Sequence, residues 1–315
     1  MNAKFLVTGG AGFIGSHIVE KLLKDGCFVR VLDNFSSGKR QNLTLVGADS
    51  KGNQFELIEG DIRDKSACLK AAEGVDYVLH QAALRSVPKS MKIPHEYNAA
   101  NIDGTLNVLE ASLENKVKRF VCASSSSVYG DTDKFPEEEG DFPKLISPYA
   151  LSKLANEFYC RIFTENFGLE TVALRYFNVF GPRQALDDEY AVVVPKFIHC
   201  ILHDEQPPIF GTGKQSRDFT YIDNVVQANI LSATTKGIKH EVFNVAFGKD
   251  TTVLGLVDSL NKIIGKDIKP KFLPVRLGDV FRTCADISRI KAKVGFEPKI
   301  NFEDGLKKTV DSFRK

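Results

Sequence analysis

Eight residues, "TGGAGFIG" (Thr8–Gly15), constrain this chain most. They follow a short apolar run, "KFLVT", and open a helical pattern of Ile14, Ile18, Leu22 and Leu23. Gly9, Gly12 and Gly15 recur at three-residue spacing. Glycines there let the backbone turn sharply and let a pyrophosphate approach the helix N-terminus, whose free N–H groups and dipole favour anions. A glycine triplet alone marks only a turn, so the flanking residues matter. Asp33 ends the next strand, where a carboxylate can take both hydroxyls of an adenosine ribose. An acid there repels a 2′-phosphate, which points to NAD over NADP, although Lys39 and Arg40 lie nearby. Asp61 closes the third strand and could meet the adenine amino group or simply cap the strand.

Apolar strands are predicted at Lys4–Thr8, Cys27–Asp33, Gln54–Asp61, Val75–Ala83, Val117–Ser124 and within Leu169–Gly181. Between them lie helical patterns, including Ile93–Glu114 and Tyr149–Phe167. Continuous apolar strands joined by crossovers make an α/β fold, a Rossmann-type doubly wound parallel sheet. After Gly181 the rhythm changes to short strands, turns and helices. That predicts an NAD-binding domain over residues 1–180 and a smaller C-terminal α/β substrate-binding lobe over 181–315, with some later segments returning to the main sheet.

The composition is that of an ordinary globular chain, with 43% hydrophobic and 26% charged residues and a net charge of +2. No basic tract suggests nucleic acid. No apolar run reaches the length of a membrane span, and the first strand begins at Lys4, so neither membrane nor leader is expected. The six cysteines show no metal spacing. They predict buried thiols, no metal and a reducing, cytoplasmic setting.

Tyr149 and Lys153 stand four apart in a predicted helix and share a face. An ammonium near a phenol favours the phenolate, which can take a proton from a sugar hydroxyl. A serine hydroxyl can hold the same oxygen, and "SSSSVYG" (Ser124–Gly130) supplies one at a strand end.

"TGGAGFIG", "SSSSVYG", "YALSK", "LRYFNVFGPRQ", "SRDFTYIDN" and "RLGD" together resemble the extended short-chain dehydrogenase/reductase family, in its nucleotide-sugar epimerase branch. The resemblance spans nearly the whole chain. It implies Ser125, Tyr149 as the base and Lys153 as the catalytic set. It implies NAD contacts from Gly9, Gly12, Phe13, Ile14, Gly15, Asp33, Asn34, Asp61, Ile62, Gln81, Ala82, Ala83, Asn101, Tyr149, Lys153 and Tyr176. For a UDP-sugar it implies Arg85, Ser125, Ser126, Ser127, Tyr149, Asn178, Val194, Lys196, Phe197, Arg217, Phe219, Arg276, Asp279 and Thr283. Relatives that dehydrate carry an Asp–Glu pair after the catalytic hydroxyl, and decarboxylases keep a glutamate near it. Here Ser126 and Ser127 stand there, and a neutral serine is a poor general acid. What remains is removal and return of a C4 hydride, which inverts C4. A binding protein without turnover and a reductase are the other readings.

Where galactose epimerases that reject N-acetyl sugars place a tyrosine, "TCAD" places Thr283, which leaves room for an acetamido group. The segment "HQAALRSVPKS" resembles the UDP-N-acetylglucosamine 4-epimerases, although Arg85 replaces a glycine and could meet a carboxylate. Uronate epimerases place threonine at Asn178 and arginine at Ala185. The expected substrate is therefore the UDP-N-acetylglucosamine/UDP-N-acetylgalactosamine pair, then UDP-glucose/galactose, then the uronates. A homodimer is expected, paired through Ile93–Glu114 and Tyr149–Phe167.

Overall fold

The computed structural model describes residues 3–48, 52–186, 193–275 and 280–314. Six strands, β1 (Lys4–Thr8), β2 (Phe28–Asp33), β3 (Phe55–Glu59), β4 (Tyr77–His80), β5 (Arg119–Ser125) and β6 (Glu170–Tyr176), form one sheet with a seventh, His240–Val245. The order is the seventh strand, β6, β5, β4, β1, β2, β3, and every pairing is parallel. Such a sheet needs a helical layer on each face. Phe5 and Val7 of β1 and Val121 of β5 enter one core, shared with the helices Phe13–Lys24 and Ile222–Thr234. Leu6, Phe120 and Cys122 point the other way, against the helices Lys65–Ala72, Gly104–Glu114 and Pro148–Phe167. The alternation of neighbours between two cores is the two-residue strand period.

The chain reverses its winding direction between β1 and β4, and the crevice at their C-terminal ends is where such sheets bind ligands. One deviation from the sequence reading lies beside this crevice. Ile93–Glu114 is not one uniform helix: Pro94–Tyr97 leads into a π-helical turn, Asn98–Asp103, before the α-helix Gly104–Glu114. Two constraints act there. Asn101 is anchored to the backbone of Leu84, and a Cβ on Gly104 would lie 2.7 Å from Ile62 Cδ1.

After Gly181 the chain makes short strand pairs. Val179–Phe180 pairs with Thr220–Tyr221, Pro208–Phe210 with Lys271–Leu273, and Ser216–Arg217 with Thr251–Thr252. The helices Val193–Leu202, Ser288–Val294 and Phe302–Phe313 also belong here, and their periodicity is not singled out by the sequence reading. The seventh strand returns to the main sheet beside β6. Arg119 of β5 fastens this return: its guanidinium donates to the carbonyls of Ser232, Ala233, Thr235 and Ile238 and pairs with Glu170. All six cysteines are buried thiols, none in a disulfide. No described helix is long and apolar enough to cross a membrane.

Candidate active site

A cavity of about 490 Å³ runs along the C-terminal ends of β1, β2, β4, β5 and β6. Its floor is the glycine loop. Gly9 has φ +67°, and a Cβ there would lie 2.8 Å from the Ala82 nitrogen. A Cβ on Gly15 would lie 2.1 Å from the Gly9 oxygen. Side chains are therefore excluded, and the helix Phe13–Lys24 begins at Gly12 with no side-chain cap on its N–H groups. These bare groups form an anion cradle.

At one end Asp33 is buried, with one oxygen accepting from the Ala11 N–H and the other from the Phe35 N–H. Burial pushes its carboxyl up. Asp61 is gripped by the Arg63 guanidinium, which holds its carboxyl well below the usual range, and also accepts from Asn34. All four residues line the cavity.

At the other end the catalytic set expected from sequence comes together. Ser125 ends β5, and its Oγ accepts from the Ser127 N–H at 3.2 Å. Tyr149 and Lys153 lie in the first turns of the helix Pro148–Phe167, whose start is fixed by Pro148 and by Ser147 Oγ accepting from the Ala150 N–H. Lys153 is 4% exposed; its Nζ donates to the Ala123 oxygen at 2.8 Å and sits 5.8 Å from the Tyr149 ring centre. Tyr97 packs edge-on against the Tyr149 ring. Behind this wall the buried pair Arg175–Glu157, with Ser124 donating to Glu157, locks β5, β6 and the helix together.

His80 lies just outside the cavity, between Thr8 Oγ1 and Thr105 Oγ1 at 2.8 and 3.0 Å. Burial, with the Lys153 charge adding to it, pushes its imidazole down to about 3, so it is a neutral bridge.

Other expected residues sort by position. Phe13, Ile14, Ile62, Ala82 and Ala83 line the cavity, as do Gln81 and Tyr176. The Tyr176 hydroxyl donates toward Gln81 and Asn229, and Asn229 completes a buried triangle that the sequence reading missed. A polar Asn229 among the buried Val225, Val226 and Ala228 of the helix Ile222–Thr234 was the available signal. Arg85 is on the exposed rim and Asn178, with φ +31°, on the wall. Asn101 does not line the cavity: its amide is spent on both backbone groups of Leu84 and on Ser152, so it shapes the loop. Val194 and Phe197 are buried in the main core, and the Phe219 ring packs between Phe180 and Phe302; apolar burial takes these side chains away from the cleft. Ser126 and Ser127 form the 3-10 turn after Ser125, outside the cavity walls, and Ser127 Oγ is buried without a partner. Lys196 stands half-buried on the helix Val193–Leu202, also off the cavity wall. Arg217 turns its guanidinium to the carbonyls of Ser216 and Phe281. Arg276 and Asp279 lie outside the described residues. Thr283 is buried behind the cavity wall and does not line it; its Oγ1 accepts from Asn178 Nδ2, which does, at 3.0 Å and from the Asp218 N–H at 3.3 Å.

The model of the NAD dependent epimerase/dehydratase family matches residues 5–246. This chain belongs to that family. Among solved structures, a UDP-N-acetylglucosamine 4-epimerase from Methanobrevibacter ruminantium, in complex with UDP-N-acetylmuramic acid, is 42% identical with a TM-score of 0.93, over 99% of this chain and 98% of that one. A UDP-glucose 4-epimerase from Thermotoga maritima, with UDP-glucose, is also 42% identical with a TM-score of 0.92 and the same coverage. A UDP-glucuronic acid 4-epimerase from Bacillus cereus, in complex with UDP-glucuronic acid and NAD, is 34% identical with a TM-score of 0.91, covering 99% of each chain. The epimerase/dehydratase cleft described above suits NAD on its own geometry. The side-chain-free cradle fits a diphosphate, Asp33 fits a ribose diol, and Lys153 and Tyr149 stand at the far end of the same cavity.

Proposed function

We propose that this protein interconverts UDP-N-acetylglucosamine and UDP-N-acetylgalactosamine by inverting C4. The broader activity, NAD-dependent C4 epimerisation of a UDP-sugar, rests on family membership and on a cleft that brings Ser125, Tyr149 and Lys153 to one end of a dinucleotide-sized cavity. The choice of sugar rests on the residue type at one position: Thr283 is small, buried and hydrogen-bonded to Asn178 of the cavity wall, where relatives that reject N-acetyl sugars are expected to carry a bulky tyrosine.

Asp33 holds the adenosine ribose and the glycine loop holds the diphosphate. NAD held by these residues would supply the acceptor for the C4 hydride and its donor on return to the opposite face. Lys153, fixed by the Ala123 carbonyl, presents its ammonium to Tyr149 and to the second ribose. Tyr149 takes the C4 hydroxyl proton as hydride leaves and gives it back when hydride returns, so the reaction is redox-neutral. Ser125 holds the same sugar oxygen through both steps. Asn178, on the cavity wall, holds the diphosphate while the sugar turns.

UDP-glucose and UDP-galactose are expected as overlapping substrates, because a small gate residue admits a small group as well. Uronates are disfavoured by Ala185, which lines the cavity with no charge to offer a carboxylate. The working unit we propose is a homodimer. Leu151, Phe158 and Ile162 form an exposed apolar stripe on the helix Pro148–Phe167.

The test is to incubate the purified protein, without added NAD, separately with UDP-N-acetylglucosamine, UDP-glucose and UDP-glucuronate, and to follow anomeric protons by NMR. A C4-inverted N-acetyl product supports the assignment and retained NAD together. Conversion of the glucuronate alone overturns it.

A further inference from the structure

Two fully buried carboxylates stand behind the sugar end of the cleft with no ion-pair partner among the described residues, and the chemistry above does not use them. Asp218 is 0% exposed and Glu137 1%. Burying a carboxylate is costly unless hydrogen bonds replace its water. Asp218 spends both oxygens and Glu137 one on backbone N–H groups, and both converge on one stretch, Arg282–Asp286, which carries Thr283. Asp218 accepts from the N–H of Ala285 at 3.3 Å and from those of Phe247 and Gly248 at 3.0 Å each. Glu137 accepts from the Cys284 N–H at 2.8 Å, and its own backbone exchanges bonds with Cys284 and Asp286. The same stretch is held at its start by Arg282 on Asp250 and by the Thr283 N–H on the Ser216 oxygen.

We propose that Asp218 and Glu137 are positioning residues for the sugar site: their carboxylates pin the Arg282–Asp286 strap so that Thr283 stays seated against Asn178, and thereby set how large a C2 substituent the site admits. This deepens the reading of Thr283 as the gate and rests on it. Neither carboxylate touches substrate; each acts through the strap. Between them they connect it to two other loops, residues 135–139 and 246–248, so its depth is fixed from two sides. Burial pushes both carboxyls up to about 7. The Asp218 charge raises Glu137 further; Asp250 and Asp141 push the same way, and Arg217 opposes. Arg282 and the Cys284 thiol also face this cluster. As a carboxyl protonates it loses acceptor capacity toward the strap N–H groups. The grip on Thr283 is therefore strongest above neutral pH.

The experiment compares wild type, Asp218→Asn, Glu137→Gln and Thr283→Tyr, each NAD-loaded. kcat and KM are measured for UDP-N-acetylglucosamine and UDP-glucose between pH 6 and 9, with bound NAD quantified. In Asp218→Asn the kcat/KM ratio of the two sugars should change by about tenfold, the scale of one charged hydrogen bond. That change should come through KM, with NAD retained. The wild-type ratio should drift across neutral pH and flatten in Asp218→Asn. Glu137→Gln keeps a carbonyl acceptor for the Cys284 N–H and should retain most of the discrimination. Equal losses for both sugars in Asp218→Asn, or an unchanged ratio with an unchanged pH profile, overturn the proposal. If Thr283→Tyr leaves the ratio unaltered, the gate reading fails; a changed ratio in Asp218→Asn would then still support positioning, through Asn178.

Discussion

Tyr149 and Lys153 are one helical turn apart, and the structure keeps them apart from solvent in different degrees: the lysine is buried and the tyrosine half-buried. Lys153 is held by a main-chain carbonyl, so its ammonium has a fixed place beside the phenol. Removing the phenol oxygen should therefore remove the chemistry and little else. Tyr149→Phe should lower kcat by about 10³-fold, within the range for loss of a general base, while denatured-protein absorbance still shows bound NAD. Undiminished turnover would take the base role from Tyr149. At this scale the sequence was legible wherever chemistry needs a residue type at a fixed spacing, as in the glycines, Asp33, Tyr149 and Lys153. It was illegible where a residue acts through its backbone or its burial. Phe219 was expected at the substrate and lies in the core, because nothing in its type distinguishes a stacking ring from a packing one.

The strand ends and their loops position these residues, and their tolerances are set by close backbone approach. Gly15→Ala would put a Cβ 2.1 Å from the Gly9 oxygen, so the loop must shift. The variant should purify folded but without NAD, with far-ultraviolet circular dichroism unchanged; retained cofactor would show that the cradle tolerates a methyl group. The π-helical turn Asn98–Asp103 gives a second case. Its Asn101 holds both backbone groups of Leu84, and Leu84 sits in the cavity wall next to Arg85. Asn101→Ala should raise KM for the sugar nucleotide more than it lowers thermal stability; the reverse ranking, by melting curve and kinetics, would make Asn101 a core residue only. Helical periodicity announced a helix over this region, but a one-residue excess inside a turn leaves no mark on an apolar pattern. The strands were legible for the opposite reason, since a sheet covered on both faces writes unbroken apolar runs.

The whole molecule couples its two buried acids to its stability. Glu137 and Asp218 are pushed up to about 7, against ordinary carboxyl values near 4. The folded chain holds these protons more tightly than the unfolded one, so the stability they contribute at low pH is lost as pH rises through about 7. His17 and His80, pushed down to about 4 and about 3 by burial, work in the other direction and lose stability as pH falls below their ordinary value. A single melting curve would mix the two. The difference isolates one: Asp218→Asn should be markedly less stable than wild type at about pH 5 and should narrow that gap by about pH 8, as urea midpoints would show. A constant gap would mean that Asp218 does not change its charge in that interval. The apolar stripe of Leu151, Phe158 and Ile162 belongs to the same scale; Phe158→Asp should shift the light-scattering mass to that of one chain if the homodimer forms there. The Rossmann half was readable from rhythm, and the return of a later segment to the main sheet was expected; which strand returns, and that it pairs with β6, was not readable, because a strand's partner is a matter of topology and not of its own residues. That return has a consequence for synthesis. As the chain leaves the ribosome, β6 emerges with one side unpaired, and residues 181–239 must follow before its neighbour exists. Until then a hydrophobic edge stands open as a template for other nascent chains, and the carbonyls of Ser232 and Ile238 that will enclose Arg119 are not yet made. The last strand to arrive is the one that closes the sheet to strangers.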